Sequence, residues 1–544
     1  MSLSRLYSER SIRIIQFLLG AVAIALIFWH LQFSTNSICC GDFDGYYHVK
    51  WARILWESMK HGNFPPAFPW LPLTTLNSKD YVDHHLLFHM FQIPFAAFRD
   101  PRLGAKIGSV VFGSLAVLAC YWLIIRFHIR YVLVWLLALL ACSAPFLFRM
   151  NMAKAPPFAI IYLVLAIYFF FRRKYWPLLP VALLFTWTYD LFLLLVMAAV
   201  FWSVAIAWTE HRFEWRPLVY VIVGCAAGLV LNPYFPHNFQ LLYEHLLIKL
   251  RPSDYDTKVG SEWYPYDSWE FLGNSTVACI AMLVGYIAFE PSERRKSQHS
   301  FFFLLFSTAL LIMTARWKRI AEYWPPFAVL FAAFSLQPWL GGTRSYLTKL
   351  PAHVQDELKP FFDRDDSWWT RLTSDWREII KTLVVAMVAI ALGGFLFFNL
   401  WAEVDEIGHG ESHDYYQAGA NWMRANIPPG QIVFNTDWDD FPRLFYFDET
   451  HYYVSGLDPN YLFDKNPDLS RLYDRITLGH ENDPAPLIRA RFGARYVFSD
   501  NDHQDFFQHA RESGWFDIVY EDSQCTIMYI RDEKVAPEED DSNP

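Results

Sequence analysis

Long apolar runs separated by short polar segments dominate the first 400 residues of the chain. Each run has roughly 16–22 residues, the length that a helix needs to cross about 30 Å of hydrocarbon. One further run, 177–208, is too long for a single helix. The pattern predicts a polytopic membrane protein that is mainly α-helical. The other runs lie near 12–33, 107–127, 131–150, 156–171, 217–235, 271–290, 299–317, 320–340 and 380–401.

A polar break, Thr186-Trp187-Thr188-Tyr189-Asp190, divides the long run. Such a segment cannot lie in lipid without partners in the helix bundle, so we split the run there and expect about eleven spans. An odd number of spans puts the termini on opposite sides, and Arg- and Lys-rich loops mark the cytoplasmic side. We therefore expect a cytoplasmic N-terminus, a periplasmic segment after Trp401, and a location in a bacterial inner membrane. The basic clusters are Arg5/Arg10/Arg13, Arg126/Arg130, Arg172-Arg173-Lys174, Arg212/Arg216 and Arg294-Arg295-Lys296.

The pattern changes at about residue 404, where short alternating strands and helices begin. This change predicts a small extracytoplasmic α/β domain followed by a disordered acidic tail. The expected strands are 431–434, 496–498 and 518–520, and the expected helices are 411–426 and 503–513. The predicted domains are a membrane bundle over 1–403 with outer loops 34–106 and 236–270, a soluble domain over 404–534, and the tail over 535–544.

Composition agrees with a membrane protein that carries a soluble appendage. The 544 residues are 54% hydrophobic, which is too apolar for one soluble domain. Four of the seven cysteines lie in apolar runs, so no disulfide framework is expected. Gly-rich phosphate loops, Gly-x-Ser-x-Gly and Cys-x-x-Cys motifs are missing at useful places, and we expect neither nucleotide-driven chemistry nor nucleic-acid binding.

Asp42 and Asp44 follow the first span at the point where the chain emerges from the membrane. Carboxylates so close to hydrocarbon are costly unless they have a partner or a task, such as holding a metal ion or activating a nucleophile. The alternative for Asp44 is a cap on a helix that begins at about Tyr46, since Asp is a favoured N-cap residue. Asp44 is the stronger chemical candidate of the two.

Asp83 opens a second polar group in the same outer loop. Residues 84–98 are too short to span and predict a helix lying in the interface. Helical spacing puts His85 and His89 on one face, which with Asp83 would suit a divalent metal. The alternative is that the histidines hydrogen-bond to lipid headgroups and loop carbonyls. Of this group we take only Asp83 as a candidate ligand.

Charged residues at two more outer positions are candidates. Glu262 precedes Trp263-Tyr264-Pro265, which predicts a loop that docks onto the bundle, although an isolated loop Glu is usually only solvated. Arg316 and Arg319 lie at the outer end of a span, where positive charge favours a bound lipid phosphate. Snorkelling to phospholipid headgroups is the alternative for these arginines.

A strand-end loop in the soluble domain carries Trp438 and Asp439. It reads Asn435-Thr436-Asp437-Trp438-Asp439-Asp440-Phe441-Pro442 and follows a predicted strand. A Trp between acids at such a place either binds a polar ligand or forms a turn that packs on a small core.

Together these features resemble the GT-C glycosyltransferases and, within that class, the catalytic subunit of oligosaccharyltransferase. In that family the first outer loop carries an Asp-Gly-aromatic-aromatic string and then Ala-Arg. Here Asp44-Gly45-Tyr46-Tyr47 and Ala52-Arg53 stand in that position. The resemblance implies transfer of a sugar or oligosaccharide from a polyprenyl-(di)phosphate-linked donor. The donor lies among the membrane lipids, and the acceptor is a protein or glycan on the extracytoplasmic side.

The resemblance also implies roles for single residues and a divalent cation, Mg²⁺ or Mn²⁺. Trp438-Asp439 matches only the middle of the family's Trp-Trp-Asp-Tyr-Gly acceptor motif. The implied set is Asp44 and Glu262 as catalytic and metal-binding residues, Arg316 and then Arg319 at the donor phosphate, and Trp438 and Asp439 at the acceptor. Asp83 is a further candidate metal ligand from the pattern of residues alone.

The chain departs from the family at its second acidic motif. That motif is expected at 151–157, where the sequence is Asn151-Met152-Ala153-Lys154-Ala155-Pro156-Pro157 without a carboxylate. The metal is then either held differently, through Asp83, or absent. Two other functions stay open, namely a transporter or flippase of lipid-linked sugars, for which Asp190 gives slight support, and a non-catalytic scaffold that binds glycan.

Overall fold

The computed structural model describes residues 9–35, 43–250, 261–291, 297–341 and 368–534. Five helices in this part are long and apolar enough to cross a membrane, and two bent helix pairs raise the number to seven. Other apolar helices have only 10–17 residues, so the count of eleven spans stays a prediction. The helices before residue 410 are Glu9–Phe33, Asp44–Lys60, Leu86–Ala96, Pro101–Arg126, Val132–Ala141, Ala144–Asn151, Pro156–Phe171, Leu178–Thr188, Leu193–Glu210, Arg216–Val230, His237–Leu250, Ser268–Asn274, Thr276–Ala288, Gln298–Arg316, Trp324–Leu336 and Trp368–His409.

The long apolar run breaks at the polar segment that the sequence indicated. One helix ends at Thr188, Tyr189 is extended (φ −163°, ψ 141°), and the next helix begins at Leu193 after a short 3₁₀ turn. A second break bends Val132–Ala141 against Ala144–Asn151 by 82°. There Ser143 caps the second helix and Pro145 in its first turn has no N–H to continue the first one.

Two glycines let neighbouring membrane helices approach closely. Gly224 and Gly228 stand four residues apart in Arg216–Val230, which is the small-xxx-small spacing of tight helix pairs. A Cβ atom at Gly224 would lie 2.5 Å from the carbonyl oxygen of Leu179 in Leu178–Thr188. Trp187 Nε1 donates a hydrogen bond to the Gly228 carbonyl at 2.7 Å. This contact fixes the helix that ends just before Tyr189.

The C-terminal domain contains a five-stranded mixed sheet in the order β2-β1-β3-β5-β4. Strands β1, β2 and β3 are parallel, whereas β5 pairs antiparallel with both β3 and β4. The strands are β1 Ile432–Asn435, β2 Tyr452–Tyr453, β3 Tyr496–Asp500, β4 Phe516–Glu521 and β5 Cys525–Ile530. The helices are Gln417–Asn426, Phe441–Phe447, Asn460–Lys465, Pro467–Thr477, Pro484–Leu487 and Gln504–Glu512.

These elements bear out the three predicted strands and add two. The expected helix 411–426 begins only at Gln417, and Trp368–His409 continues through the expected boundary at 404. The acidic tail 535–544 and residue Asp42 lie outside the described residues.

The outer loop after the first span packs against the C-terminal domain in one hydrophobic core. Buried Trp51 and Phe68 of the loop share this core with Phe445 and Tyr453 of the domain. Backbone hydrogen bonds join the two parts, including Tyr453 N to the Trp70 carbonyl at 2.8 Å. The loop is therefore a structural part of the outer domain.

Candidate functional site

Asp44 forms an ion pair with Lys154 at the edge of the membrane bundle. The helix Asp44–Lys60 begins at Asp44 itself, so Phe43 and not Asp44 is its N-cap residue. Asp44 Oδ2 lies 2.8 Å from Lys154 Nζ, and 35% of the Asp44 side chain is exposed. Lys154 belongs to the segment between Ala144–Asn151 and Pro156–Phe171, where the resemblance implies an acid.

Glu262 lies between two arginines. Its Oε1 accepts from Arg319 Nη1 at 2.6 Å and its Oε2 pairs with Arg149 Nη2. Arg149 also donates from Nε to Glu322 Oε1 at 2.6 Å. Burial alone would raise the pKa of Glu262, but Arg319, Arg149 and Lys154 bring it well below the usual range. The group is therefore an alternating row of charges, in which Glu262 is ionised.

The Glu262 loop docks onto the turn after the helix Gln298–Arg316, as its aromatic residues predicted. Lys318 N donates to the Tyr264 carbonyl at 3.0 Å, and the Arg319 guanidinium lies 5.1 Å from the centre of the Trp263 ring. The docked loop brings Glu262 to the end of the bundle at which the helix Gln298–Arg316 ends.

Arg319 rather than Arg316 belongs to this group. Arg319 Nη2 donates to Tyr189 OH at 2.8 Å, so the break in the long apolar run supplies a further partner. Arg319 Nε is buried and has no hydrogen-bond partner among the described residues. Arg316 ends its helix with an exposed side chain, outside the group.

Asp83 begins a buried chain of hydrogen bonds. Its Oδ2 accepts from Trp51 Nε1 at 2.9 Å and bonds His89 Nδ1 at 2.8 Å, while His89 Nε2 lies 2.7 Å from His48 Nδ1. Burial would raise the pKa of Asp83, but His89 and Trp51 lower it below the usual value. The Asp83 carboxylate is thus committed to His89 and Trp51.

The residues predicted to hold a divalent cation do not fit one. Asp44 faces the Lys154 ammonium, Glu262 lies between guanidinium groups, and Asp83 belongs to the hydrogen-bond chain. Among the residues that the structure describes, no group of three or more His, Cys, Asp or Glu side chains is arranged to hold a metal ion. We derive no catalytic step through a metal.

The Trp438-Asp439 turn lies at the carboxyl end of the parallel strands. Asp439 follows β1 and Asp500 ends β3, so their carboxylates approach each other at one edge of the sheet. Burial, helped by Asp437 and Asp500, raises the pKa of Asp439 to about 8. Trp438 beside it is partly exposed. The turn therefore carries an acidic side chain whose pKa is raised by burial and by neighbouring carboxylates.

Arg443 links this turn to the start of the Asp44 helix. It lies in the helix Phe441–Phe447 directly after the turn, and its guanidinium lies 4.1 Å from the centre of the Phe43 ring. It also pairs with Glu411. The acidic turn and Asp44 are therefore connected through one arginine and one aromatic ring.

Sequence reasoning did not single out five members of the site. Each stands at the end of an apolar run or in a loop, and only the fold brings them together. Lys154 had one signal, because it occupies the segment where an acid was expected, and Tyr189 had another, because it lies in the polar break. The five are His48, Arg149, Lys154, Tyr189 and Glu322.

No protein-family model and no curated protein sequence matches the chain. Its structure is similar to the archaeal oligosaccharyltransferase AglB from Archaeoglobus fulgidus in complex with an inhibitory peptide and a dolichol-phosphate. That match has a TM-score of 0.59 and 12% identity and covers 95% of this chain and 73% of AglB.

The structure is also similar to ArnT from Cupriavidus metallidurans bound to undecaprenyl phosphate. This match has a TM-score of 0.56 and 14% identity and covers 94% of this chain and 98% of ArnT. At such identities the likeness establishes the fold. The chain has the fold of the GT-C membrane glycosyltransferases, and its apolar helices make it an integral membrane protein.

Proposed function

We propose that the protein is a glycosyltransferase that moves a sugar or oligosaccharide from a polyprenyl-phosphate or polyprenyl-diphosphate donor to a protein or glycan acceptor on the extracytoplasmic side. One observation carries the proposal, namely the half-buried Arg319 just after a membrane helix in a GT-C fold, whose buried Nε is unpaired among the described residues. The AglB and ArnT structures were solved with a lipid phosphate, which supports a lipid-phosphate donor here.

Arg319 would bind the donor phosphate. Its guanidinium is held by Tyr189 and Trp263, so it needs little reorganisation when an anion arrives. A phosphate would take the free Nε–H and compete with the Tyr189 hydroxyl for Nη2, because Nε–H and Nη2 form the side-on fork that suits phosphate oxygens. As the bond between the sugar's anomeric carbon and the phosphate oxygen breaks, the arginine stabilises the charge that grows on the leaving phosphate.

Asp44 would act on the acceptor. The acceptor's nucleophilic atom forms a bond to the anomeric carbon, and its proton passes to the Asp44 carboxylate. Glu262, on a docked loop, would orient the acceptor, and movement of that loop would open and close the site. Trp438 and Asp439 would contact the acceptor, because Arg443 joins their turn to Phe43 beside Asp44.

The test is a radiolabelled sugar-transfer assay in proteoliposomes with a mixed extract of polyprenyl-linked donors. Asp44→Asn and Arg319→Ala should each reduce transfer by about 10²–10³-fold, which is the usual loss when one charge-stabilising group is removed. Arg316→Ala is the matched control, because Arg316 is an exposed arginine three residues away. It should retain transfer within about twofold of the wild type.

Three results would contradict parts of this proposal. Full transfer by folded Asp44→Asn and Arg319→Ala would remove both residues from the mechanism. Label that changes leaflet without leaving its lipid, equally in all variants, would instead indicate a flippase. A loss in Arg316→Ala with full transfer by Arg319→Ala would move the phosphate site to Arg316.

A further inference from the structure

Lys154 forms an ion pair with Asp44, one of the two carboxylates that the resemblance assigns to a metal ion. Its Nζ lies 2.8 Å from Asp44 Oδ2, and only 17% of its side chain is exposed. Its charge also acts on Glu262, whose ionised form it favours together with Arg319 and Arg149. Lys154 is therefore paired directly with Asp44, and its charge also favours the ionised form of Glu262.

A divalent ion would face an unfavourable environment at this place. Mg²⁺ and Mn²⁺ need several oxygen ligands in near-octahedral geometry. The segment 151–157 contributes no carboxylate to such a shell and places an ammonium against Asp44 instead. Glu262 has both oxygens in ion pairs with arginines. An added ion would have to displace three positive side chains, Lys154, Arg149 and Arg319.

An ammonium group is suited to part of a metal's task. It is a compact point charge with three N–H donors on a flexible stem. At 2.8 Å it fixes the orientation of the Asp44 carboxylate by a charge-assisted hydrogen bond. It does not polarise a ligand as a divalent ion does, so its contribution is the positioning of Asp44 and the compensation of its charge.

We infer that Lys154 is a built-in cation that positions Asp44 in place of a divalent metal ion, so that the protein works without a metal. This inference rests on the proposed glycosyl transfer for its catalytic meaning, but the arrangement of charges that it describes is tested independently of transfer. Lys154 is a positioning residue in this scheme, because it acts on the acceptor through Asp44.

The first experiment measures Mn²⁺ binding to the purified full-length chain in detergent by electron paramagnetic resonance. Wild type and Asp44→Asn should bind the same background amount of Mn²⁺. Lys154→Asp replaces the ammonium by a third carboxylate and should bind one additional Mn²⁺, and this ion should be lost in Lys154→Asp/Asp44→Asn. Binding by the wild type that disappears in Asp44→Asn would overturn the inference.

The second experiment measures sugar transfer with and without EDTA. Wild-type transfer should change by less than about twofold on chelation, whereas Lys154→Met, which keeps an unbranched side chain one atom shorter and removes the charge, should lose about 10²-fold. Lys154→Arg should recover most of that loss, because it restores the positive charge. EDTA-sensitive wild-type transfer or full transfer by Lys154→Met would overturn the inference.

The two experiments separate this inference from the proposed function. A wild type that transfers no sugar from any donor would refute the glycosyltransferase proposal, and the Mn²⁺ measurements would still decide whether Lys154 occupies a cation position. Melting temperatures in detergent identify any variant that fails to fold. If Lys154→Asp fails to fold, the comparison uses Lys154→Met and Lys154→Arg, which add no acidic group.

Discussion

At the scale of single residues, two histidines of the outer loop, His48 and His85, make stability depend on pH. Burial lowers the pKa of His48 and His85, and nearby positive charge adds to the effect, from His89 and Lys154 at His48 and from His84 at His85. In the unfolded chain both would take up a proton near pH 6.5. Since the folded state does not, the folded state loses stability as pH falls below about 6.5.

This sign gives a testable pH dependence. The melting temperature in detergent should be steady above pH 7 and should fall between pH 6.5 and 5. The corresponding loss of unfolding free energy is up to about 1.4 kcal/mol per pH unit for each histidine. His48→Asn should make the fall shallower, because one of the two proton-binding differences is gone. His409, with 80% of its side chain exposed, is the control, and His409→Asn should follow the wild type. Identical curves for His48→Asn and wild type would refute the argument.

The sequence identifies charged residues of the site one by one, but it does not show which of them contact each other. Glu262 and Arg319 were recognisable because charge at the outer edge of a membrane needs a reason. The preference for Arg316 over Arg319 depended on where the helix ends, and Trp317 leaves the helix with φ −136° and ψ 118°. That turn leads the chain back over the bundle, so the arginine that contacts Glu262 and Tyr189 is the one three residues later. Arg149 comes from a distant bent helix, and no local pattern pairs it with Glu262.

At the scale of elements, the close contact at Gly224 between the helices Arg216–Val230 and Leu178–Thr188 fixes the position of Tyr189, which follows the second helix. Because a Cβ at Gly224 would lie 2.5 Å from a backbone oxygen, neither helix can yield by rotating a side chain. Gly224→Leu should therefore force the helices apart and cost about 1–3 kcal/mol or more. Tyr189 follows directly after the displaced helix and bonds Arg319, so we also expect weaker transfer.

The matched control for this substitution is on the same helix. Ala226 is exposed on the outer surface of the bundle, two residues from Gly224. Ala226→Leu should leave the melting temperature in detergent close to that of the wild type. Equal melting temperatures for Gly224→Leu and Ala226→Leu would show that the close approach has no energetic importance.

Elements were predictable where one physical rule dominates. The break at 186–190 followed from polar groups that lipid cannot solvate, and β1, β3 and β4 followed from alternation. Strand β2 has only two residues, Tyr452–Tyr453, and exists because it pairs with β1, so its local sequence carries little signal. The helix Phe441–Phe447 follows the acidic turn, where turn-forming residues concealed its start.

At the scale of the whole molecule, the outer loop and the C-terminal domain behave as one unit above the membrane. Phe445 of the domain is completely buried, and its ring lies 4.8 Å from Trp70 and 5.7 Å from Phe68 of the loop. Asp44 lies at the start of this loop, so the packing that orders the loop also determines where Asp44 points. Sequence separation of nearly 400 residues hides this contact from any local pattern.

Phe445→Ala tests whether the core shared by the outer loop and the C-terminal domain keeps the outer loop ordered. Removing a fully buried Phe typically costs about 3–5 kcal/mol, and here the cost should appear in the contact between loop and domain. Hydrogen exchange in residues 64–82 should therefore accelerate. Phe492 is the control, because it is 1% exposed but belongs to a separate cluster whose fully buried members all come from the C-terminal domain. Phe492→Ala should destabilise the sheet and leave hydrogen exchange in residues 64–82 much less affected. Equal acceleration of exchange in both variants would mean that the loop depends on the overall stability of the domain and not on the shared core.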